Sequence, residues 1–172
     1  GARLTMTPPR IRASVAAALM LALLVPTSAA QTSRTTASAF LARHPGAWKV
    51  RADPVTRRPS FLYGGRIPLG GQPSDDGGWE QFARTVVDLE PELFGLPSDE
   101  LSLRGVEHLH LAAHGTSDKV AVVFDQVVHG IPVRHASVSV LFDAASGDVL
   151  ALDTTAVPGA ARAVAPPRST LT

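Results

Sequence analysis

Residues 122–149 read VVFDQVVHGIPVRHASVSVLFDAASGDV and decide the fold. The segment from Lys119 to Val128 is rich in β-branched residues, and residues 129–132 (His-Gly-Ile-Pro) supply turn formers directly after it. Residues 133–142 then alternate, with an apolar set on one side: Ala136, Val138, Val140 and Phe142. Residues 143–148 form a further turn before another apolar run. This period of two predicts antiparallel strands joined by tight turns.

Upstream of this segment the same alternation is present. Residues 103–113 place Leu109 and Leu111 on one face and His108 and His110 on the other. Residues 149–152 supply a last strand on the downstream side. Together these runs predict an antiparallel β-meander of about four strands.

A helix precedes the strands. Apolar residues recur at spacings of three and four along one helical face: Trp79, Phe82, Val86, Leu89 and Leu93. Asp75 or Asp76 stands at the N-cap position, Pro91 predicts an end or kink near residues 89–90, and Gly95 supplies a stop signal. One amphipathic helix followed by a run of strands predicts an α+β fold in which the helix covers one face of the sheet.

The N-terminus has the pattern of a secretory signal peptide. An apolar run at residues 15–25 follows Arg10 and Arg12 and ends in the small residues 28–30. We expect residues 1–30 to be the signal peptide, with a start at Met6 and cleavage by signal peptidase after Ala30. An uncleaved anchor is the alternative, but the run is short for a membrane span. The expected location is therefore extracellular or periplasmic.

Composition divides the remaining chain unevenly. Residues 31–70 carry a net charge of +6, and residues 71–172 one of −8. Residues 31–39 predict a mobile tail, and residues 31–73 a basic arm that contains a loose hairpin around residues 53–59 and a glycine-rich linker. Residues 74–155 form the predicted domain. The Ala- and Pro-rich residues 156–172 are a tail or the start of a further segment.

The absence of cysteine excludes several classes of site. With Cys 0, the chain has no disulfide scaffold, no thiolate metal site and no cysteine nucleophile. A formal net charge of +1 gives no reason to expect a nucleic-acid partner. The sequence also lacks Gly-x-Ser-x-Gly, a phosphate-binding loop and His-Glu-x-x-His. These observations indicate that this chain is not itself an enzyme, and we expect no cofactor in it.

Two sets of polar residues invite a chemical interpretation. His108, His110 and His114 have a spacing that brings two imidazoles to one side of a strand, where they are candidate metal ligands. Paired histidines on a solvated sheet face are the simpler interpretation. Asp88, Glu90 and Glu92 carry carboxylates, and we interpret them as the solvated face of the helix.

The strand segment also carries a family resemblance. Gln126 at a strand end, the run Gly130-Ile131-Pro132-Val133, and Gly147-Asp148-Val149 before the next strand are similar to the fungalysin/thermolysin propeptide (FTP) domain. The resemblance covers residues 74–155, including Phe94-Gly95-Leu96 after the helix. It implies the prosegment of a secreted thermolysin- or fungalysin-like zinc metallopeptidase, which assists folding of the catalytic domain and inhibits it. Zinc is then expected only in that catalytic domain.

The matched residues have a structural interpretation as well. Gly130 tolerates a positive φ, Pro132 fixes φ ahead of a strand, and the Gln126 amide is able to hold the turn by hydrogen bonds. The functional interpretation is that this hairpin, with Ile131 and Val133, contacts the peptidase in cis or in trans. We expect the chain to be a fragment of a longer precursor. The alternatives are a standalone propeptide-like inhibitor, or a secreted binding module unrelated to proteases that uses the face bearing His108 and His110.

Overall fold

The computed structural model describes the backbone of residues 29–163 and the side chains of residues 36–163. The predicted signal segment up to residue 28 and the tail from residue 164 lie outside the described residues. In chain order the helices and strands are α1 (Ala29–Arg43), β1 (Lys49–Ala52), β2 (Pro59–Ile67), α2 (Asp76–Leu89), α3 (Pro91–Phe94), β3 (Leu101–Leu109), β4 (Lys119–Val128), β5 (Ile131–Asp143), β6 (Val149–Thr154) and α4 (Ala160–Ala163). Short 3-10 turns span Ser98–Glu100 and Ala112–His114.

All six strands join one antiparallel sheet in the order β1-β2-β6-β5-β4-β3. Strands β3 to β6 follow one another as the meander that the sequence predicts. The hairpin of β1 and β2 was expected to stand apart, and this is corrected by the pairing of Leu62 in β2 with Leu152 in β6. Gly64 and Gly65 therefore lie within β2 and are not part of a linker. The fold is α+β, with two more strands than the alternation indicates.

Helix α2 has the predicted cap and the predicted end. The Asp75 side chain accepts a hydrogen bond from the Gly78 amide at 2.7 Å, which satisfies one of the free N–H groups at the helix start. The helix ends at Leu89 because Pro91 begins a new turn, α3, which Gly95 closes with φ 73°. This break changes the buried face: Ala83 and Val87 are buried while Leu89 is 60% exposed.

Residues 31–39 lie in a helix, which corrects the prediction of a mobile tail. Helix α1 runs through them to Arg43, and Phe40 near its end is fully buried. The Phe40 ring meets the Trp48 ring edge-on, with centroids 5.2 Å apart. The helix propensity of these small polar residues is weak, so the helix depends on the packing of Phe40 against the core.

The hydrophobic core lies on one side of the sheet. Register places Leu62, Leu152, Val140 and Val122 in one row across four strands, and these side chains are buried. They pack with buried residues of the helices: Phe40, Trp79, Ala83, Val86, Val87, Leu93 and Phe94. The helices thus form a single layer on this face, and the alternate side chains of the strands point the other way.

Candidate functional site

The hairpin between β4 and β5 has the tight geometry that the sequence predicts. His129 and Gly130 both have positive φ, at 52° and 78°, and Val128 pairs directly with Ile131. Two consecutive positive φ values are typical of a two-residue turn whose twist matches the flanking strands. Ile131 and Pro132 belong to β5 and not to the turn. Ile131 is 57% exposed, so the hairpin presents an apolar side chain to solvent.

Gln126 has a different role from the one expected. Its side chain is fully buried and makes no bond to the hairpin turn. Its Nε2 donates to the Val157 carbonyl at 3.0 Å, and its Oε1 accepts from the Val157 amide at 2.8 Å. Gln126 therefore holds the segment that follows β6 against the sheet, with two hydrogen bonds like those between paired backbone residues. Both polar atoms of this buried side chain are hydrogen-bonded.

The three candidate metal ligands are not brought together. His108 Nε2 lies 2.8 Å from Asp76 Oδ1 at the start of α2, whereas His110 Nδ1 lies 3.4 Å from Asp118 Oδ2. His114 lies in the 3-10 turn after the strand. Within the described residues no group of three or more metal-ligating side chains is present. The predicted alignment of His108 with His110 fails because β3 ends at Leu109.

Glu90 is buried, which corrects its assignment to a solvated face. Its residue exposure is 2%, and Arg43 donates to it at 2.5 Å. His44 Nε2 lies 2.7 Å from the same carboxylate. The hydrogen bond to Glu90 raises the pKa of Arg43. This cluster ties the end of α1 to the junction of α2 and α3. The sequence does not predict the burial of Glu90, because its partners lie 46 and 47 residues earlier in the chain.

Asp143 is a second buried carboxylate, at the end of β5. It accepts a hydrogen bond from Ser117 at 2.7 Å, and Lys119 lies at 3.4 Å. The Ser117 bond is the largest cause that lowers its pKa from 3.8 to about 2, despite the opposing effect of burial. Its location before the Ala144–Gly147 turn identifies it as a structural anchor of the sheet end.

The face of the sheet opposite the core is a candidate interaction surface. We call it the open face and define it by the side chains that register aligns there, namely Phe61, Tyr63, Ala121, Val123, Ser139, Leu141, Ala151 and Asp153. Phe61 and Tyr63 stack with ring centroids 5.0 Å apart. Most of these residues are half-buried or exposed, in contrast to the core rows.

Charged side chains lie within and beside the open face. Lys49 lies over the Tyr63 ring, with Nζ 5.8 Å from the centroid, and Arg51 belongs to the same edge strand. Asp153 lies beside Phe61, and burial raises the pKa of its carboxyl. A largely apolar face that holds one partly buried carboxylate, Asp153, and has a basic edge strand suits contact with another macromolecule better than it suits bond-making chemistry.

Comparisons with other proteins give no relative. Family models, curated proteins and solved structures yield no match to this chain. Among the helices of residues 29–163, none is long and apolar enough to cross a membrane.

Proposed function

We propose that this chain is the prosegment of a secreted zinc metallopeptidase of the thermolysin or fungalysin type, acting as a folding assistant and inhibitor of the catalytic domain. The resemblance at Gln126, residues 130–133 and residues 147–149 carries the proposal. Consistent with it, Gln126 and Gly130 occupy positions with strict structural requirements, a buried bidentate clamp and a positive-φ turn.

The open face is the surface that we assign to the catalytic domain. It combines stacked aromatic rings with aliphatic side chains of three central strands, and aromatic residues are enriched at protein interfaces. The exposed Ile131 at the hairpin end adds a second apolar contact. The strands hold these side chains in fixed positions, so little conformational entropy is lost on binding.

A secreted binding module unrelated to proteases is the second candidate. The expected surface for it was the face bearing His108 and His110, but His108 is in the row of Val120 and Phe142 on the core side. The open face therefore serves this candidate too. The two proposals differ in the partner and not in the surface.

Inhibition in trans separates the two candidates. The purified chain is titrated against the catalytic domain of a thermolysin-like metallopeptidase with a peptide substrate, and a serine peptidase of similar size serves as the control enzyme. We expect inhibition of the metallopeptidase alone, with an inhibition constant of about 1 μM or lower, which corresponds to about −8 kcal/mol of binding. Absence of inhibition at that concentration contradicts the prosegment and favours the binding module.

A further inference from the structure

A small cavity opens at the end of the sheet that is remote from the Asp143 turn. It lies between the β1–β2 connection, the end of α3 and the segment that follows β6. Its volume is about 160 Å³. Its apolar walls come from Leu93, Phe94 and Pro158, and its polar groups include Arg58 and Thr154.

Arg58 is an unusual cation in this chain. It is half-buried, and burial lowers the pKa of its guanidinium, which stays charged at neutral pH. Within residues 36–163, the one hydrogen bond of its guanidinium is a long contact of 3.5 Å from Nη2 to the backbone carbonyl oxygen of Glu92. Other arginines lie beside carboxylates: Arg43, Arg66, Arg84 and Arg104. Within the part of the chain that the structure describes, this partly desolvated guanidinium has no carboxylate within ion-pair distance, so binding of an anion beside it is favourable.

Asp53 also lines the cavity but does not neutralise Arg58. Its Oδ1 accepts hydrogen bonds from the Thr56 amide, the Thr56 hydroxyl and the Val55 amide, at 2.6 to 3.0 Å. These bonds, led by the one from the Thr56 amide, lower the pKa of Asp53. The carboxylate is therefore ionised and turned into its own loop. The ionised Asp53 carboxylate beside the cavity repels a doubly charged anion such as phosphate more strongly than a singly charged one.

The size of the cavity limits the rest of the ligand. In another protein an engineered apolar cavity of about 150 Å³ binds benzene. The cavity beside Arg58 is of that size, so it takes one ring or one branched aliphatic group. We propose that this cavity binds a carboxylate attached to a small apolar group, with Arg58 as the ion-pairing residue. The ligand is either a free organic acid or the C-terminal residue of a peptide. This inference is independent of the proposed function and of the open face.

Benzoate is the probe for the first test, with benzamide as a neutral molecule of the same shape. Titration of the full chain is followed by the chemical shifts of the Phe94 and Thr154 amides. We expect saturable binding of benzoate with a Kd of about 1 mM or lower, and binding of benzamide at least about tenfold weaker. Equal binding of both molecules, or no saturable binding of benzoate, overturns the proposal, and this result does not depend on any variant.

Variants then test whether Arg58 is the residue that binds the carboxylate of benzoate. Arg58→Gln is expected to weaken benzoate binding by about tenfold or more, whereas Arg57→Gln removes the same charge from the neighbouring exposed residue and leaves the Kd unchanged. Arg58→Lys keeps the charge without the planar fork and gives an intermediate Kd. If Arg58→Gln and Arg57→Gln bind benzoate alike, or if inorganic phosphate binds the wild-type chain as tightly as benzoate, the assignment is wrong.

Two further probes distinguish the sources of the carboxylate. One is a short peptide that ends in leucine with a free carboxylate, and the other is the same peptide with an amidated end. A peptide C-terminus is the natural ligand class if the free-acid peptide competes with benzoate and the amide does not. If neither peptide competes while benzoate binds through Arg58, a free organic acid is the ligand class.

Discussion

The buried carboxylate of Asp143 contributes to the acid stability of the sheet. Its pKa of about 2 lies below the ordinary 3.8, so its ionised form stabilises the fold at pH values above the ordinary value. That stabilisation is lost as the pH falls through about 2. The Ser117, Lys119 and Arg66 groups around it supply the hydrogen bond and the positive charge.

We expect Asp143→Asn to lower the free energy of unfolding by about 2 kcal/mol at pH 7, because it removes a buried charge from its partners. The difference from wild type should shrink as the pH approaches 2, because the Asp143 carboxyl then becomes protonated and loses the charge that Asn lacks. Urea unfolding at pH 7, 4 and 2.5 measures it. Asp99→Asn, at an exposed position, is the control and should change little. A difference that stays constant with pH contradicts the assignment.

Gln126 supports a second prediction at the level of the residue. Gln126→Met keeps the length of the side chain but leaves the amide and carbonyl of Val157 without their partner. We expect a loss of about 1–3 kcal/mol in the free energy of unfolding, measured by urea titration. Gln81→Met on the exposed side of α2 is the matched control and should stay within about 0.5 kcal/mol of wild type. Equal stability of the two variants rules out the clamp.

At the level of the element, strand β2 depends on a residue without a side chain. A Cβ atom at Gly65 would lie 2.1 Å from Cε2 of the Trp48 ring, whereas a Cβ atom at Gly105 in β3 would have no heavy atom within 4 Å. Trp48 therefore lies directly on the backbone of β2. The pattern of apolar residues does not reveal this contact, because glycine contributes nothing to hydrophobic periodicity.

The matched pair Gly65→Ala and Gly105→Ala tests this packing. Gly65→Ala should lower the free energy of unfolding by about 1–3 kcal/mol through overpacking, and Gly105→Ala should leave it unchanged within about 0.5 kcal/mol. Thermal unfolding followed by the fluorescence of the two tryptophans reports both values. A neutral Gly65→Ala would show that Trp48 packs elsewhere.

Helix α1 is the element that sequence reasoning missed. Residues 31–39 have no apolar stripe, and the contacts that fix the helix involve Phe40, Arg43 and His44 at its end. The acidic partner Glu90 is distant in sequence and stands in what reads as a polar helix face. Only the folded chain brings these groups together, so the helix has no local signature.

Phe40→Ala tests whether α1 is part of the core. We expect a loss of about 3–5 kcal/mol in the free energy of unfolding, because the ring is fully buried against Trp48. Leu41→Ala, at a 38% exposed neighbour, is the control and should cost far less. If the two variants are equally stable, α1 does not belong to the core.

At the level of the whole molecule, the features that depend on neighbouring residues were predictable from the sequence, and those that depend on long-range contacts were not. The β4–β5 hairpin, the cap at Asp75 and the end of α2 before Pro91 follow from neighbouring residues, and the structure confirms them. The pairing of β2 with β6 joins Leu62 to Leu152, which no local pattern encodes. For the same reason the open face becomes visible only when all six strands are placed side by side.

The proposed docking of a metallopeptidase on the open face is open to a direct test with one pair of variants. Ser139→Arg places a charge in the middle of this face, and Gln81→Arg places the same charge on the exposed side of α2. The most direct measurement is the inhibition constant of both variants against the thermolysin-like catalytic domain. We predict that Ser139→Arg raises the constant by about tenfold or more, and that Gln81→Arg leaves it at the wild-type value. Equal constants for both variants and the wild type would contradict the claim.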